Sequence, residues 1–372
     1  MAINVLFVDD ETNVLQGLRR SLRSMRKEWN MQFAASGAEA LELLAQEPVD
    51  VVISDMRMPE MDGAELLEAV SKNYPYTVRF VLSGQADRDT TYRAVGPSHQ
   101  FFSKPCDADV LADTLRRTLS LQALLSKGAV CAISGLRCLP TPAQQRNALN
   151  AALKQEQITI DITSSLIARD PGMSLKALQL TNSTYFGVGA TVFCPSQASK
   201  MLDIDVFQDL AKQGRFSIPL INEEKASEYT ELVDLSYLTG LVCKRISALE
   251  GASAKDQTLA FAAGLCCFLG DLVAYTQGGA CLTADDKRAA PAYLATLWGA
   301  PHILTDILSG EAADDPLRRD MILYLSAARR LAGAVYADVL GGTPEGGVEV
   351  SDADLEKWRE ECFDLIETAR AA

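Results

Sequence analysis

Residues 3–104 alternate short apolar runs with amphipathic segments, and this alternation constrains the fold more than any other feature. Five of the runs have the length and composition of buried β-strands, at residues 3–8, 31–35, 49–54, 78–83 and 99–103. Between the strands the period is helical; Val14, Leu18 and Leu22 are spaced by four residues. Strands that alternate with helices predict an α/β doubly wound, five-stranded parallel sheet, which binds ligands at the carboxyl ends of its strands.

Polar side chains occur where four of these strands end. Asp9 and Asp10 close the first strand, Asp55 follows the third, Ser83 closes the fourth, and Lys104 follows the fifth. Taken singly, each could be a helix cap, a turn residue or a solvated charge, but all five in this order predict a shared site. Three carboxylates placed together repel one another, and Mg²⁺ would offset that repulsion. The lysine and the hydroxyl could hold the oxygens of a phosphoryl group.

The stretches VDDE, SDMRMPEMDG, VLSGQ and FFSKP carry these residues. Over about residues 1–122 they resemble the receiver domain of two-component response regulators, a flavodoxin-like fold. The resemblance implies that Asp55 accepts a phosphoryl group from a sensor histidine kinase. It also implies that Ser83 and Lys104 hold the phosphoryl oxygens.

The same resemblance implies a Mg²⁺ site and a switch residue. Asp10, Asp55 and the backbone carbonyl of Arg57 would bind the metal, with Asp9 assisting through water. The aromatic switch position is Phe101, three residues before the lysine, where the commonest pattern has tyrosine. Serine at position 83 likewise replaces the commoner threonine. Two residues that flank the site, Arg57 and Gln85, are expected to influence the lifetime of the phosphoryl group.

Residues 106–127 predict a connector helix, with Asp107 near its N-terminus. Its apolar positions Leu111, Leu115 and Leu119 share one face, which could pack on the receiver or on a second copy of the chain. We expect this helix to carry the signal between the two halves of the protein.

From residue 128 the helical period dominates, and the sequence predicts an all-α domain over residues 128–340. Residues 341–372 would form a glycine-rich linker and a C-terminal helix. In that helix the apolar residues form one stripe, at Leu355, Trp358, Cys362 and Ile366. The stripe could dock on its own domain or form part of a partner or dimer interface.

The segment GLCCFLGD, residues 264–271, places two cysteines side by side within a long apolar run over residues 259–275. Neighbours on a helix point about 100° apart, which suits neither a chelate nor a disulfide. No histidine or third cysteine lies nearby at a metal-ligand spacing. We therefore expect buried packing, with a redox or metal role as the alternative.

The runs DPG…KALQLTNSTYFG, AGLCCFLGD and LWGAPHILTDIL resemble the HDOD family, the "HD-related output domain", over about residues 128–330. Catalytic HD relatives use a His–Asp pair and further ligands to bind a metal that activates water. At the corresponding positions this sequence has the residues Cys267, Phe268, Leu235, Ser309 and Gly310. The whole chain has only 2 histidines, His99 and His302. The resemblance thus implies an HD-like output domain with a degenerate metal site and no cofactor.

Charge and cysteine content limit the partners and the compartment. The net charge is −14, of which residues 1–122 carry −5 (13 basic and 18 acidic), so nucleic acid and anionic membranes are not expected partners. The longest apolar stretch, residues 259–270, is about 12 residues, shorter than a membrane span requires, and the N-terminus has no basic signal region. Nine cysteines without a CxxC pair are typical of a reduced cytoplasmic protein.

These observations predict a cytoplasmic response regulator that is not an enzyme beyond its own phosphorylation and dephosphorylation. Its partners would be a sensor histidine kinase and a downstream signalling protein that the sequence does not identify, with a homodimer left open. One alternative is a metal-dependent HD-type cyclic dinucleotide phosphodiesterase, which the missing His–Asp pair and the lack of a GYP tripeptide oppose. The other is a DNA-binding transcriptional regulator, which the acidic charge opposes.

Overall fold

A computed structural model describes residues 3–84, 92–155, 159–183, 192–276, 282–311, 314–336 and 348–371. The N-terminal region contains a parallel sheet of five strands: β1 Ile3–Val8, β2 Trp29–Ala34, β3 Val51–Ser54, β4 Val78–Ser83 and β5 Gln100–Ser103. Their order is β2-β1-β3-β4-β5, which leaves β5 at one edge of the sheet. The predicted five-stranded α/β fold is confirmed.

Three strands differ slightly from the sequence prediction. β2 begins at Trp29, which pairs with Ile3, and β3 begins only at Val51. β5 begins at Gln100, one residue later than predicted, although the amide of the preceding residue, His99, still donates to the Arg79 carbonyl at 2.7 Å. The backbone amide of Arg79 donates to the His99 ring nitrogen Nδ1 at 3.0 Å, so the side chain is the acceptor there. The described part of the region also contains four helices, α1 Thr12–Ser21, α2 Gly37–Gln46, α3 Gly63–Asn73 and α4 Ala108–Gln122, and a 3₁₀ turn at Arg23–Lys27.

The connector is shorter than predicted. The Asp107 carboxylate caps α4 by accepting from the Asp109 amide at 2.9 Å, as its position near the N-terminus suggested. The helix ends at Gln122, and the hydroxyl of Ser126 caps the next helix by accepting from the amide of Ala129. Because Ser126 begins a new helix, residues 106–127 do not form one continuous helix.

The C-terminal region is helical, as predicted. Among the described residues its helices are α5 Lys127–Ser134, α6 Ala143–Ala152, α7 Ile160–Ile167, α8 Pro171–Asn182, α9 Pro195–Met201, α10 Ile204–Lys212, α11 Ala226–Leu249, α12 Ala254–Cys266, α13 Leu269–Ala274, α14 Ala284–Leu297, α15 His302–Ser309, α16 Pro316–Gly333, α17 Asp352–Glu361 and α18 Phe363–Ala371, with a 3₁₀ turn at Glu223–Lys225. Buried apolar residues of both regions belong to one continuous cluster. The two regions therefore share a core.

The apolar run over residues 259–275 contributes to two helices, because the chain breaks between α12 and α13 at Cys267 and Phe268. The Cys267 thiol donates to the carbonyl of Gly264 at 3.2 Å at the end of α12. Gly270 then passes so close to α14 that a Cβ atom there would lie 2.1 Å from the carbonyl oxygen of Lys287. By length and composition residues 254–274 could cross a membrane, but 72% of their most apolar window is buried inside the protein.

The C-terminal helices dock on their own domain, which was the first of the two sequence-based expectations. In the apolar stripe, Trp358, Cys362 and Ile366 are buried. The indole nitrogen of Trp358 donates to the Glu250 carboxylate at 2.9 Å, and Lys357 pairs with the same carboxylate at 2.7 Å. The stripe is thus covered within the chain.

Candidate functional site

Three charged side chains meet at the carboxyl edge of the sheet. Asp9 directly follows β1, Asp55 directly follows β3, and Lys104 directly follows β5. The Lys104 ammonium nitrogen lies 2.7 Å from Asp9 Oδ2 and 2.6 Å from Asp55 Oδ1. One cation therefore bridges two carboxylates, and the adjacency of β1 and β3 in the sheet explains why they converge.

All three groups are largely removed from water: 3% of the Asp9 side chain, 9% of Asp55 and 19% of Lys104 are exposed. Burial raises the pKa of Asp9, and the hydrogen bonds from Lys104 and from the Glu11 amide offset this only in part. Burial alone would lower the pKa of Lys104, but its hydrogen bonds to Asp55 and Asp9 raise it. The lysine therefore remains charged throughout the physiological pH range.

The backbone after Asp55 folds back on the carboxylate. The amide of Arg57 donates to Asp55 Oδ2 at 2.8 Å, and the amide of Gly63 donates to the Met56 carbonyl at 3.0 Å. Position 63 requires glycine, because a Cβ atom there would lie 2.1 Å from the Asp55 carbonyl oxygen. One Asp55 oxygen is thus held by the backbone, while the other faces Lys104.

The residues at this edge fit a magnesium ion through two carboxylates. Mg²⁺ is usually bound by one or two carboxylates together with water, and Asp9 and Asp55 already turn oxygens toward one cationic group. Asp10, a third predicted ligand, is exposed. Among the residues that the structure describes, no three acidic, histidine or cysteine side chains are close enough to form a metal cluster. Two of the three predicted carboxylates, those of Asp9 and Asp55, therefore face Lys104 in this structure.

Two further predicted site residues lie on β4 and β5. Ser83 pairs with Ser103 in the sheet, which places the Ser83 backbone beside the strand end that carries Lys104. The Ser83 side chain and the flanking residue Gln85 lie outside the described residues. Phe101, the predicted switch residue, is 5% exposed, so its ring is buried in this arrangement.

The sequence matches two domain families. Residues 5–116 match the response regulator receiver domain, and residues 139–302 match the HDOD domain. The chain is a response regulator receiver domain followed by an HDOD domain. Both resemblances stated from the sequence are confirmed.

The similar proteins match part of this chain and not its whole length. It is 33% identical over 177 residues to the hydrogenase transcriptional regulatory protein HoxA of Cupriavidus necator, covering 47% of this chain and 35% of HoxA. It is 38% identical over 122 residues to the sensor kinase CckA of Brucella abortus, covering 32% of this chain and 13% of CckA. A solved receiver domain of an HD domain-containing protein from Pseudomonas fluorescens Pf-5 is 34% identical with a TM-score of 0.31, covering 33% of this chain and 98% of that one. This chain spans about a third or less of the length of these two curated relatives.

The positions at which the resemblance to catalytic HD relatives would place metal ligands are mostly apolar and buried. Leu235, Cys267 and Phe268 are at most 6% exposed. Burial raises the pKa of Cys267 to about 12, so its thiol stays protonated at neutral pH. A leucine, a protonated thiol and a phenylalanine do not supply the donor atoms that a divalent metal requires. The adjacent Cys266 is also fully buried, which agrees with packing as the role of the cysteine pair.

A buried polar network joins the receiver to the HDOD domain. Arg79 on β4 and His99 before β5 are both fully buried. Because His99 Nδ1 accepts from the Arg79 amide, we assign the hydrogen to Nε2, which donates to the Ser134 carbonyl of α5 at 2.9 Å. Burial lowers the pKa of His99 well below its usual value, so the ring is neutral. The Ser134 hydroxyl lies 2.7 Å from that of Tyr293, which extends the network to α14.

Strand β5 connects this interface with the charged site. The side-chain amide of Gln100 donates to the Thr296 carbonyl on α14 at 2.7 Å. The side-chain amide of Gln179 on α8 donates to the carbonyl of His99 at 2.6 Å. The HDOD domain thus holds the start of β5, and Lys104 follows its end.

Sequence reasoning missed these interface residues. The available signal was a charged residue inside an apolar run, as Arg79 is in VRFVLS; Lys176 in SLKALQL gives the same signal inside the HDOD domain. Both side chains are fully buried. A buried charged side chain requires an opposite charge, a hydrogen-bonding carbonyl or an aromatic ring beside it. Each of these can come from another domain.

The remaining HDOD residues have structural roles where they are described. The Asn182 side chain holds residue Val192, accepting from its amide at 2.8 Å and donating to its carbonyl at 2.7 Å. Trp298 is fully buried, and His302 is exposed at the first position of α15. Tyr185 and Phe186 lie outside the described residues.

Proposed function

We propose that this protein is a cytoplasmic response regulator in which a sensor histidine kinase phosphorylates Asp55. The observation that carries the proposal is the Lys104 ammonium, which lies within 2.7 Å of both Asp9 and Asp55. A buried carboxylate beside a fixed cation at the edge of a parallel sheet is suited to accept a phosphoryl group. Phosphoryl transfer depends mainly on positioning and charge stabilisation, and this arrangement supplies both.

Each group at the site has a distinct task in this proposal. The Arg57 amide fixes Asp55 Oδ2, which leaves Oδ1 as the attacking oxygen. Asp9, Asp10, Asp55 and the Arg57 backbone carbonyl would hold Mg²⁺, which would neutralise charge on the phosphoryl oxygens. Ser83 and Lys104 would hold those oxygens after transfer. The Lys104 ammonium must then move with the phosphoryl group, which adds about 1.5–2 negative charges at Asp55.

The HDOD domain is proposed to act by binding a downstream signalling protein and not by catalysis. Apolar packing at Leu235, Cys267 and Phe268 supports this proposal, because an HD-type hydrolase needs several metal ligands there. The net charge of −14 favours a protein partner over nucleic acid or an anionic membrane.

Signal transfer is proposed to run along β5. Phe101 lies between Lys104, at the phosphorylation site, and Gln100, at the HDOD interface. A change in the position of Lys104 would therefore displace the strand that the HDOD domain holds. Phosphorylation would shift an existing equilibrium between docked and displaced receiver positions.

The first test is phosphorylation with acetyl phosphate, or beryllofluoride binding, in the presence of Mg²⁺. Wild type should be modified, and Asp55→Asn should not. Asp50→Asn is the matched control, because Asp50 directly precedes β3 but accepts from the Asn4 amide away from Lys104. Labelling that persists in Asp55→Asn would overturn the site assignment.

The second test concerns catalysis by the HDOD domain. The full chain should contain no stoichiometric iron, manganese or zinc by elemental analysis, and cyclic dinucleotides should survive incubation with it. Asp55→Asn, assayed in parallel, separates this result from the state of the receiver. Turnover that a chelator abolishes would replace the binding proposal with the phosphodiesterase alternative.

A further inference from the structure

One arginine of the receiver enters a preformed site on the HDOD domain. The Arg117 guanidinium of α4 donates to the Thr305 hydroxyl at 2.6 Å and to the His302 carbonyl at 3.2 Å, and it pairs with the Asp306 carboxylate. All three acceptors lie on the first five residues of α15. We call these acceptors on His302, Thr305 and Asp306 the arginine pocket.

The pocket would retain its negative charge if the receiver moved away. Asp306 has only 4% of its side chain exposed, and its oxygens are divided between two arginines. Oδ2 is paired with Arg318 of α16 at 2.8 Å, inside the HDOD domain, while Oδ1 is paired with Arg117. Loss of Arg117 would leave one oxygen of a largely buried carboxylate without this partner, which is costly.

A second contact, five residues along α4, fixes the direction of the bound helix. The Gln122 side-chain amide donates to the Tyr293 hydroxyl of α14 at 3.2 Å. With a rise of about 1.5 Å per residue, the arginine and the amide are about 7–8 Å apart along the helix axis. The surface of α14 and α15 therefore contacts α4 through an arginine and, further along the helix, a hydrogen-bond donor.

We infer that this surface is the binding site for an α-helix of the downstream partner, one that presents an arginine to the pocket in place of Arg117. This inference rests on the proposed function, in which phosphorylation displaces the receiver. The net charge of −14 opposes close association of two copies, so a separate, more basic partner fits better than a second receiver. The receiver would then block the site until Asp55 is phosphorylated.

The test uses the full-length protein and a fluorescent peptide of residues 106–125 as a stand-in for the partner helix. Fluorescence anisotropy should show little binding to the resting wild type and clear binding after addition of beryllofluoride and Mg²⁺. An Arg117→Ala protein should bind the peptide without activation. Arg116→Ala is the matched control, since Arg116 is paired with Glu28 of the receiver at 2.9 Å and should not open the site.

The peptide itself carries the second control. Arg117→Ala in the peptide should weaken binding by at least about tenfold, because a charge-assisted hydrogen bond is lost, whereas Arg116→Ala should not. Equal binding of the two peptides would overturn the pocket, as would failure of both the activated wild type and Arg117→Ala protein to bind. Binding to Arg117→Ala protein but not to activated wild type would support the pocket and contradict phosphorylation-driven opening. Dimerisation that excludes the peptide, seen by sedimentation, would assign the surface to a second copy.

Discussion

Lys176 is a buried cation, and its burial should lower the stability of the protein. Its side chain is fully buried in α8, and its ammonium nitrogen has no hydrogen-bond partner among the described residues. The group lies 4.0 Å from the centroid of the Trp298 ring, which supplies a cation–π contact. We predict that Lys176→Met, which keeps the volume and removes the charge, stabilises the protein at neutral pH.

The size of the effect follows from the shifted pKa. Burial lowers the pKa of Lys176 from 10.5 to about 8. At pH 7 the folded protein therefore bears a penalty of about 3 kcal/mol for keeping the ammonium charged. Loss of the cation–π contact offsets about 0.5–2 kcal/mol of the gain. Lys176→Met should raise the free energy of unfolding at pH 7 by about 1–3 kcal/mol, or a few degrees in Tm.

The dependence on pH distinguishes this explanation from improved packing. The folded-state pKa is below the unfolded value, so wild-type stability should rise between about pH 8 and pH 10.5 as the folded lysine loses its proton. The advantage of Lys176→Met should shrink over that range in urea unfolding. Lys212→Met, at a lysine side chain that is 72% exposed, is the control. Destabilisation at pH 7, or a difference that does not vary with pH, would refute the reasoning.

Three further predictions test other parts of the structure. Gly63→Ala should lower stability by about 1–3 kcal/mol and slow labelling by acetyl phosphate, because its Cβ atom would meet the Asp55 carbonyl; normal labelling would contradict this close approach. Burial raises the pKa of Asp170 to about 7, so wild-type stability should fall between about pH 4 and pH 7, and Asp170→Asn should be the more stable at pH 8 but not at pH 4; parallel unfolding curves would argue against it. Burial raises the pKa of Cys266 and Cys267 to about 12, so a thiol reagent should label the partly buried Cys194 before either of them, as mass spectrometry of peptides would show.

The receiver was predictable from sequence because its signals are local. Each polar site residue follows an apolar strand directly, and parallel strands bring their carboxyl ends together whatever the details of packing. The convergence of Asp9, Asp55 and Lys104 therefore follows from the order of the strands alone. The exposure of Asp10 could not be predicted, because whether the second carboxylate of the pair turns inward depends on the loop that follows β1.

Errors arose where a contact from another element ended a regular structure. His99 reads as the first residue of a strand, but its ring replaces the backbone as the acceptor for the Arg79 amide. The run through Cys267 and Phe268 has the composition of one helix, but the close approach of Gly270 to α14 accompanies a break. Neither contact can be read from the periodic spacing of apolar residues, because that spacing shows which residues are buried and not which residues they contact.

The interface also explains how a small change at Asp55 could reach the HDOD domain. β5 is the edge strand of the sheet, hydrogen-bonded to β4 on one side, so it can shift without breaking a second ladder. A hundredfold change in partner affinity requires about 2.7 kcal/mol of coupling. The Gln100 hydrogen bond to Thr296 contributes about 0.5–1.5 kcal/mol, and the Arg117 contacts contribute about 1.5–3 kcal/mol. Because β5 and α4 flank Lys104 in sequence, one displacement there can weaken both sets of contacts, and their combined contribution has the size that such coupling requires.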